Sequence, residues 1–156
     1  MRGSPRVRPA STDDFERIAE LERACFEGAL AYSRRQLRYL VFNANSTVLV
    51  ETAGAVIQGF IIVLYRTGSS VAGVETVNVD PSYRKQGVAR RLLAAAEKDT
   101  RKKGAKKIRL EVSTANHAAI ALYEHAGFKK IGLLKNYYCY NHDGSRDAIR
   151  MIKELV

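Results

Sequence analysis

Along the chain the apolar positions switch between the two-residue period of a strand and the longer period of a helix. Residues 5–10 read as a short first strand. In "STDDFERIAELERACF" (11–26) Phe15, Ile18, Leu21, Cys25 and Phe26 fall on one helical face, with Asp13 and Glu16 spaced as a capping box. A second helix is predicted over 33–44, opened by Ser33 and Gln36 at the same spacing. Strand periodicity returns in 46–53, 56–66 and 71–80. The first two form a hairpin around Gly54, and Pro81 ends the third because it has no N–H for a ladder. The Ala- and Leu-rich stretch 87–104 predicts a strong helix stopped by Gly104. A strand at 106–114 and a nearly all-apolar helix at 116–128, expected to be buried on several sides, come next. A strand at 129–140, a polar turn at 141–147 and a strand at 148–155 complete the pattern.

The order β-αα-βββ-α-β-α-ββ predicts an α/β fold: a single mixed central sheet with helices on both faces, and a parallel crossover over 71–112. One domain is expected over 5–156, with residues 1–4 a disordered tail or cloning remnant. The longest apolar run, "FIIVLY" (60–65), falls far short of the ~20 residues that span a bilayer. With no apolar leader at the N-terminus, the expectation is a cytoplasmic protein without membrane contact. Cys25 and Cys139 form no disulfide framework, and His117, His125 and His142 do not cluster with other ligands, so no metal is expected. Cys25 is expected to pack as a small hydrophobe. Nothing in the pattern distinguishes a monomer from a dimer.

Charge adds a sharper question. The net charge is +10, and residues 84–109 hold eleven Lys or Arg against only Glu97 and Asp99. For Lys102, Lys103, Lys106 and Lys107 a solvated helix face suffices. Near Arg84 an anion site is the alternative, with nucleic acid as another anion to consider. The strand ending at Pro81 feeds a helix that begins near Gly87, and a helix start offers unpaired N–H groups to a phosphate. Gly87 lets the backbone approach a ligand, and Ala89 is almost as small. The stretch has neither the G-K-[ST] of a Walker loop nor G-x-G-x-x-G after a strand.

The segment "VNVDPSYRKQGVARRLL" resembles the cofactor motif of the GNAT superfamily of N-acetyltransferases, Arg/Gln-x-x-Gly-x-Gly/Ala. "LEVSTANHAAIALYEHAGFKKIGLLKNYYCYNHDGSRDAIRM" is similar to the RimI branch, the protein N-terminal alanine acetyltransferases. The resemblance covers nearly the whole chain and implies acetyl-CoA as cofactor. It implies that loop amides from Gln86 through Gly87, Val88 and Ala89 to Arg90 cradle the pyrophosphate, with Arg84 holding the loop or touching a phosphate. The backbones of Val77 and Val79 would pair with the pantetheine arm between two splayed strands, and Asn116 would add a hydrogen bond besides capping its helix. Glu111 falls where the branch carries its proposed base, and Tyr123 where it carries the acid for the CoA sulfur. Glu75, on the strand facing the same cleft, competes as base and is otherwise an acceptor-site residue. Tyr137 and Tyr138 would border the peptide groove, although strand alternation would keep both from facing one pocket. RimI-like chains carry Pro-aromatic-Ser between their first two helices. Here "LAYSRRQ" (30–36) keeps Tyr32 and Ser33 without the proline, which implies a different substrate wall.

The implied acceptor is a protein or peptide N-terminus, a ribosomal protein among the candidates. At pH 7 an α-amine is roughly one-tenth neutral and a lysine roughly one part in a few thousand, so a base does less work on an N-terminus. Two readings stand beside this: the same chemistry on a lysine or a small-molecule amine, and a non-catalytic basic module that binds RNA or the ribosome. The charge bears on both. A +10 protein repels a basic peptide at long range unless its charge lies on the CoA side, or unless it docks on RNA phosphates.

Overall fold

The structure is a computed structural model that describes residues 3–26 and 30–155. The expectation for residues 1 and 2 lies outside the described residues. The strands are β1 (Pro5–Pro9), β2 (Ser46–Ala53), β3 (Val56–Leu64), β4 (Val71–Val79), β5 (Lys107–Ser113), β6 (Lys129–Leu134) and β7 (Ala148–Glu154). They form one sheet in the order β1-β2-β3-β4-β5-β7-β6, in which only β4–β5 is parallel. The helices are α1 (Phe15–Cys25), α2 (Arg34–Arg38), α3 (Val88–Lys102) and α4 (His117–His125). Strand alternation makes two cores, one on each face. Val50, Phe60 and Ile62 meet Phe15, Ile18, Leu21 and Leu37 of α1 and α2. Leu49, Ile61 and Val63 meet Val88, Leu92, Leu93 and Ala96 of α3 and Ile120 of α4. The mixed sheet with helices on both faces is the architecture expected.

Three local expectations are corrected. The first capping box is Ser11 with Asp14, not Asp13 with Glu16: Arg8 draws the Asp14 carboxylate inward, and that carboxylate accepts the Ser11 N–H. Ser33 and Gln36 do form the second box. α4 is not buried on several sides, because among its residues only Ile120 is buried and Ala118, Ala119, Leu122 and Tyr123 line a cleft. β6 ends at Leu134, not at 140. Asn136 turns to φ +52°, its N–H donates to Asp147, and the chain leaves the ladder.

Two features of β3 and β4 prepare the site. Thr76 pairs with Ile62 and Val74 with Val63, so Glu75 is the extra residue of a bulge. Ala72 and Val74 before it, and Val77 and Val79 after it, all face the α3 core, while Glu75 is exposed. On β3, Gly59 lets the start of α3 lie directly on the strand. A Cβ there would come 2.6 Å from the Asn78 carbonyl and 3.0 Å from Val88. Gly59→Ala is therefore expected to cost about 1–3 kcal/mol by overpacking, read from the midpoint of urea unfolding.

Candidate active site

β4 and β5 pair over only Val71–Gly73 and Lys107–Arg109. Beyond that they diverge, and the opening is a continuous cleft with two arms of about 510 Å³ each. Phe26, Val77, Asn116, Ala119, Tyr123 and Asp143 line both arms. The Asp80 N–H donates to the Gln58 carbonyl of β3. Alternation in the antiparallel ladder therefore turns the main-chain groups of Val77 and Val79 away from β3 and toward the cleft. The Val79 carbonyl accepts from the Cys25 thiol at 3.3 Å. Cys25 is thus half-buried at the cleft wall rather than packed as a plain hydrophobe, and burial pushes its pKa up.

One arm is basic. Arg84, Lys85, Gly87, Val88, Ala89 and Arg90 line it. Gly87 is the N-cap of α3 at φ +83°, a backbone region that glycine adopts without penalty. It has no side chain with which to cap the helix, and the first turn carries no acidic residue, so the end of a 15-residue helix keeps its positive character. Gln86 does not line this arm; its carbonyl accepts from Arg91 at 2.9 Å. Arg84 reaches Cys25 at 3.8 Å.

The other arm is acidic and aromatic. Glu22, Glu75, Glu111 and Asp143 line it with Tyr32, Tyr123, Tyr137, Tyr138 and Tyr140, and no Lys or Arg is among the described lining residues. Tyr32 donates its phenol hydrogen to Glu75, and burial followed by that bond pushes its pKa far above the ordinary value. Glu111 stands opposite Arg150 in the β5–β7 register and accepts from Arg150 Nη2 at 3.0 Å, with Arg109 Nε 3.3 Å away. Tyr137 and Tyr138 do line one pocket, contrary to the strand reading. They sit in the turn after β6, where the Tyr138 N–H donates to Arg146, and their rings meet edge to face at 5.0 Å. Tyr138 stacks on His142 at 4.2 Å.

Tyr123 stands where the two arms meet. It packs edge-on to Phe128 at 5.9 Å, and burial raises its pKa to about 12. At neutral pH it holds its proton. Asn116 caps α4 by accepting the Ala119 N–H, and its amide donates to Asp143 at 3.3 Å.

The Acetyltransferase (GNAT) family matches residues 15–128. The chain belongs to the GNAT family of acetyltransferases. Among its relatives, the N-alpha-acetyltransferase RimI of Mycobacterium tuberculosis is 34% identical over 127 residues, covering 80% of this chain and 78% of the relative. The [ribosomal protein bS18]-alanine N-acetyltransferase of Escherichia coli is 44% identical over 75 residues, 48% of this chain and 50% of the relative. The chain thus spans about half the length of that relative, and 34% of a longer Mycobacterium leprae relative. The crystal structure of the ribosomal-protein-S18-alanine N-acetyltransferase from Escherichia coli superposes with a TM-score of 0.85 at 28% identity, covering 97% of this chain and 94% of that one. Among the described residues no helix is long and apolar enough to cross a membrane, and no group of three or more His, Cys, Asp or Glu is placed to hold a metal.

Sequence reasoning missed Glu22. It reads as one more acid in "AELERA", yet it is 1% exposed. It accepts from the Tyr32 N–H at 3.0 Å and the Asn78 amide at 2.8 Å, so it ties the Tyr32 wall of the acidic arm to β4. Desolvation raises its pKa. Between the ordinary carboxylate value and the raised one, the folded protein holds a proton that the unfolded chain has released. The stability from this proton is present at low pH and is lost as pH rises through the raised value. Glu22→Gln removes this dependence, so thermal melts should show the variant gaining on the wild type as pH rises above the ordinary carboxylate range.

Proposed function

We propose that this GNAT protein transfers the acetyl group of acetyl-CoA to the α-amine of a protein N-terminus, with both substrates bound at once. The observation that carries the reading is Tyr123 at the junction of a basic arm and an acidic arm. The basic arm suits the cofactor. The uncapped start of α3, the close approach at Gly87, and the Val77 and Val79 main chain offer donors for a pyrophosphate and a ladder for an amide-bearing arm. The small apolar face of α4 covers the other side. When bound, acetyl-CoA supplies a thioester carbonyl for the amine to attack.

The acidic arm suits an ammonium group. Glu75 attracts the cation, Glu111 being offset by Arg150 and Arg109, and tyrosine faces add cation–π attraction. The lysines and arginines that line the cleft belong to the cofactor arm, while at the acceptor arm Arg109 and Arg150 stand paired with Glu111, so the overall +10 is not concentrated where a basic peptide would enter. We assign proton removal from the amine to Glu111, whose position Arg150 sets from the facing strand, and anchoring of the ammonium to Glu75. Tyr123 keeps its phenol protonated and presents it to the departing sulfur. Tyr32, Tyr137 and Tyr138 form the acceptor walls. An N-terminus fits better than lysine because its lower pKa leaves the base less work. The names of the M. tuberculosis and E. coli relatives point the same way.

The test uses acetyl-CoA and an Ala-initiated peptide with one internal lysine, with mass spectrometry to locate the product. Acetylation of the α-amine is expected. Tyr123→Phe and Glu111→Gln should each lower kcat on the order of 10²-fold or more, whereas Glu75→Gln should chiefly raise KM for the peptide. Acetylation of the lysine alone would contradict the acceptor assignment, and a larger kcat loss in Glu75→Gln would exchange the two carboxylate roles.

A further inference from the structure

Arg91 lines neither arm of the cleft, yet it is bonded to the turn that shapes the basic one. It is the fourth residue of α3, and its backbone N–H donates to the Gly87 carbonyl at 3.0 Å. Its guanidinium grips Glu51 with two parallel bonds, Nε to Oε1 at 2.6 Å and Nη2 to Oε2 at 3.1 Å. The third nitrogen, Nη1, donates to the Gln86 carbonyl at 2.9 Å. Glu51 lies on β2, fully buried, directly opposite Gly59 in the ladder with β3. One side chain therefore joins the sheet, the helix and the turn at the place where α3 rests on Gly59.

We propose that Arg91 is a positioning residue for the anion-binding turn, acting through Glu51 and the Gln86 carbonyl. The inference rests on the reading of that turn as the pyrophosphate site. The turn needs such a tie. Lys85 sits at φ +61°, a conformation a lysine adopts only when its surroundings impose it, and Gly87 follows at φ +83°. Arg84, Lys85 and Gln86 are exposed, with Arg84 touching Cys25 at 3.8 Å, so burial of these three side chains does not hold this conformation. The fork geometry makes the tie specific. A buried carboxylate takes two bonds from one guanidinium, and the planar group still has a nitrogen for the carbonyl. A lysine ammonium in that place keeps the charge opposite Glu51 but cannot reproduce the bidentate grip and reach Gln86 together. The packing agrees: a Cβ at position 87 would come 2.7 Å from Arg91 Nη1, so the arginine occupies the space beneath the turn.

The test compares acetyl-CoA with acetyl-pantetheine, a thioester that lacks the pyrophosphate and nucleotide, as donors for wild type, Arg91→Ala and Arg91→Lys. Arg91→Lys keeps a cation on Glu51 and so guards against a simple failure to fold. The expected result is a fall on the order of tenfold in the ratio of kcat/KM for acetyl-CoA to that for acetyl-pantetheine in both variants, with a matching rise in Kd for CoA. An unchanged ratio would overturn the inference, and so would equal losses with both donors, which mark general destabilisation. If the wild type itself shows no preference for acetyl-CoA and no CoA binding, the cofactor reading fails instead, and the two failures are told apart.

Discussion

β4 and β5 stop pairing at Gly73 and Arg109, and every functional feature depends on that separation. A fully zipped parallel pair would spend the main-chain groups of Val77 and Val79 on β5. Because the strands part, those groups face a cleft, and the helix that follows each strand brings one wall. α3 presents its uncapped N-terminus at the end of β4, and α4 presents Ala118, Ala119, Leu122 and Tyr123 from the end of β5. The bulge at Glu75 belongs to the same design. It brings a carboxylate onto the α1 side, within reach of Tyr32, while leaving Val77 and Val79 in the core register.

Charge is sorted by element rather than spread. The basic residues at the cleft come from the turn before α3 and its first residues, and the carboxylates from α1, β4, β5 and the segment before β7. The two groups meet at Tyr123, with Asp143 lining both arms. Buried ties hold the walls apart. Glu51 with Arg91 supports the basic arm from β2, and Glu22 with Asn78 and Tyr32 supports the acidic arm from α1. Removing one partner of such a tie leaves a buried charge or polar group unpaired, which costs more than the tie itself contributes.

The element order, the parallel crossover and the glycine turn that opens α3 were legible in the sequence because each is local. Period, Pro81 and Gly87 carry them. What depends on residues far apart in sequence was hidden. Glu22 and Arg91 look like solvated helix charges until Asn78, Tyr32 and Glu51 are placed beside them. Tyr137 and Tyr138 continue a plausible strand pattern, and only the bonds from Asn136 to Asp147 and from Tyr138 to Arg146 show that the chain has turned. The apolar face of α4 read as a core face for a related reason: a surface that lines a cleft has the composition of one that packs against protein.

Amide hydrogen exchange with and without CoA tests most directly whether the divergence of β4 and β5 is the cofactor site. Saturating CoA should slow exchange at Val77 or Val79 and across Gly87–Arg90, while the amides of β2 stay unchanged. If CoA binds and leaves Val77, Val79 and the start of α3 exchanging as before, the cofactor lies elsewhere and the account of the cleft is wrong.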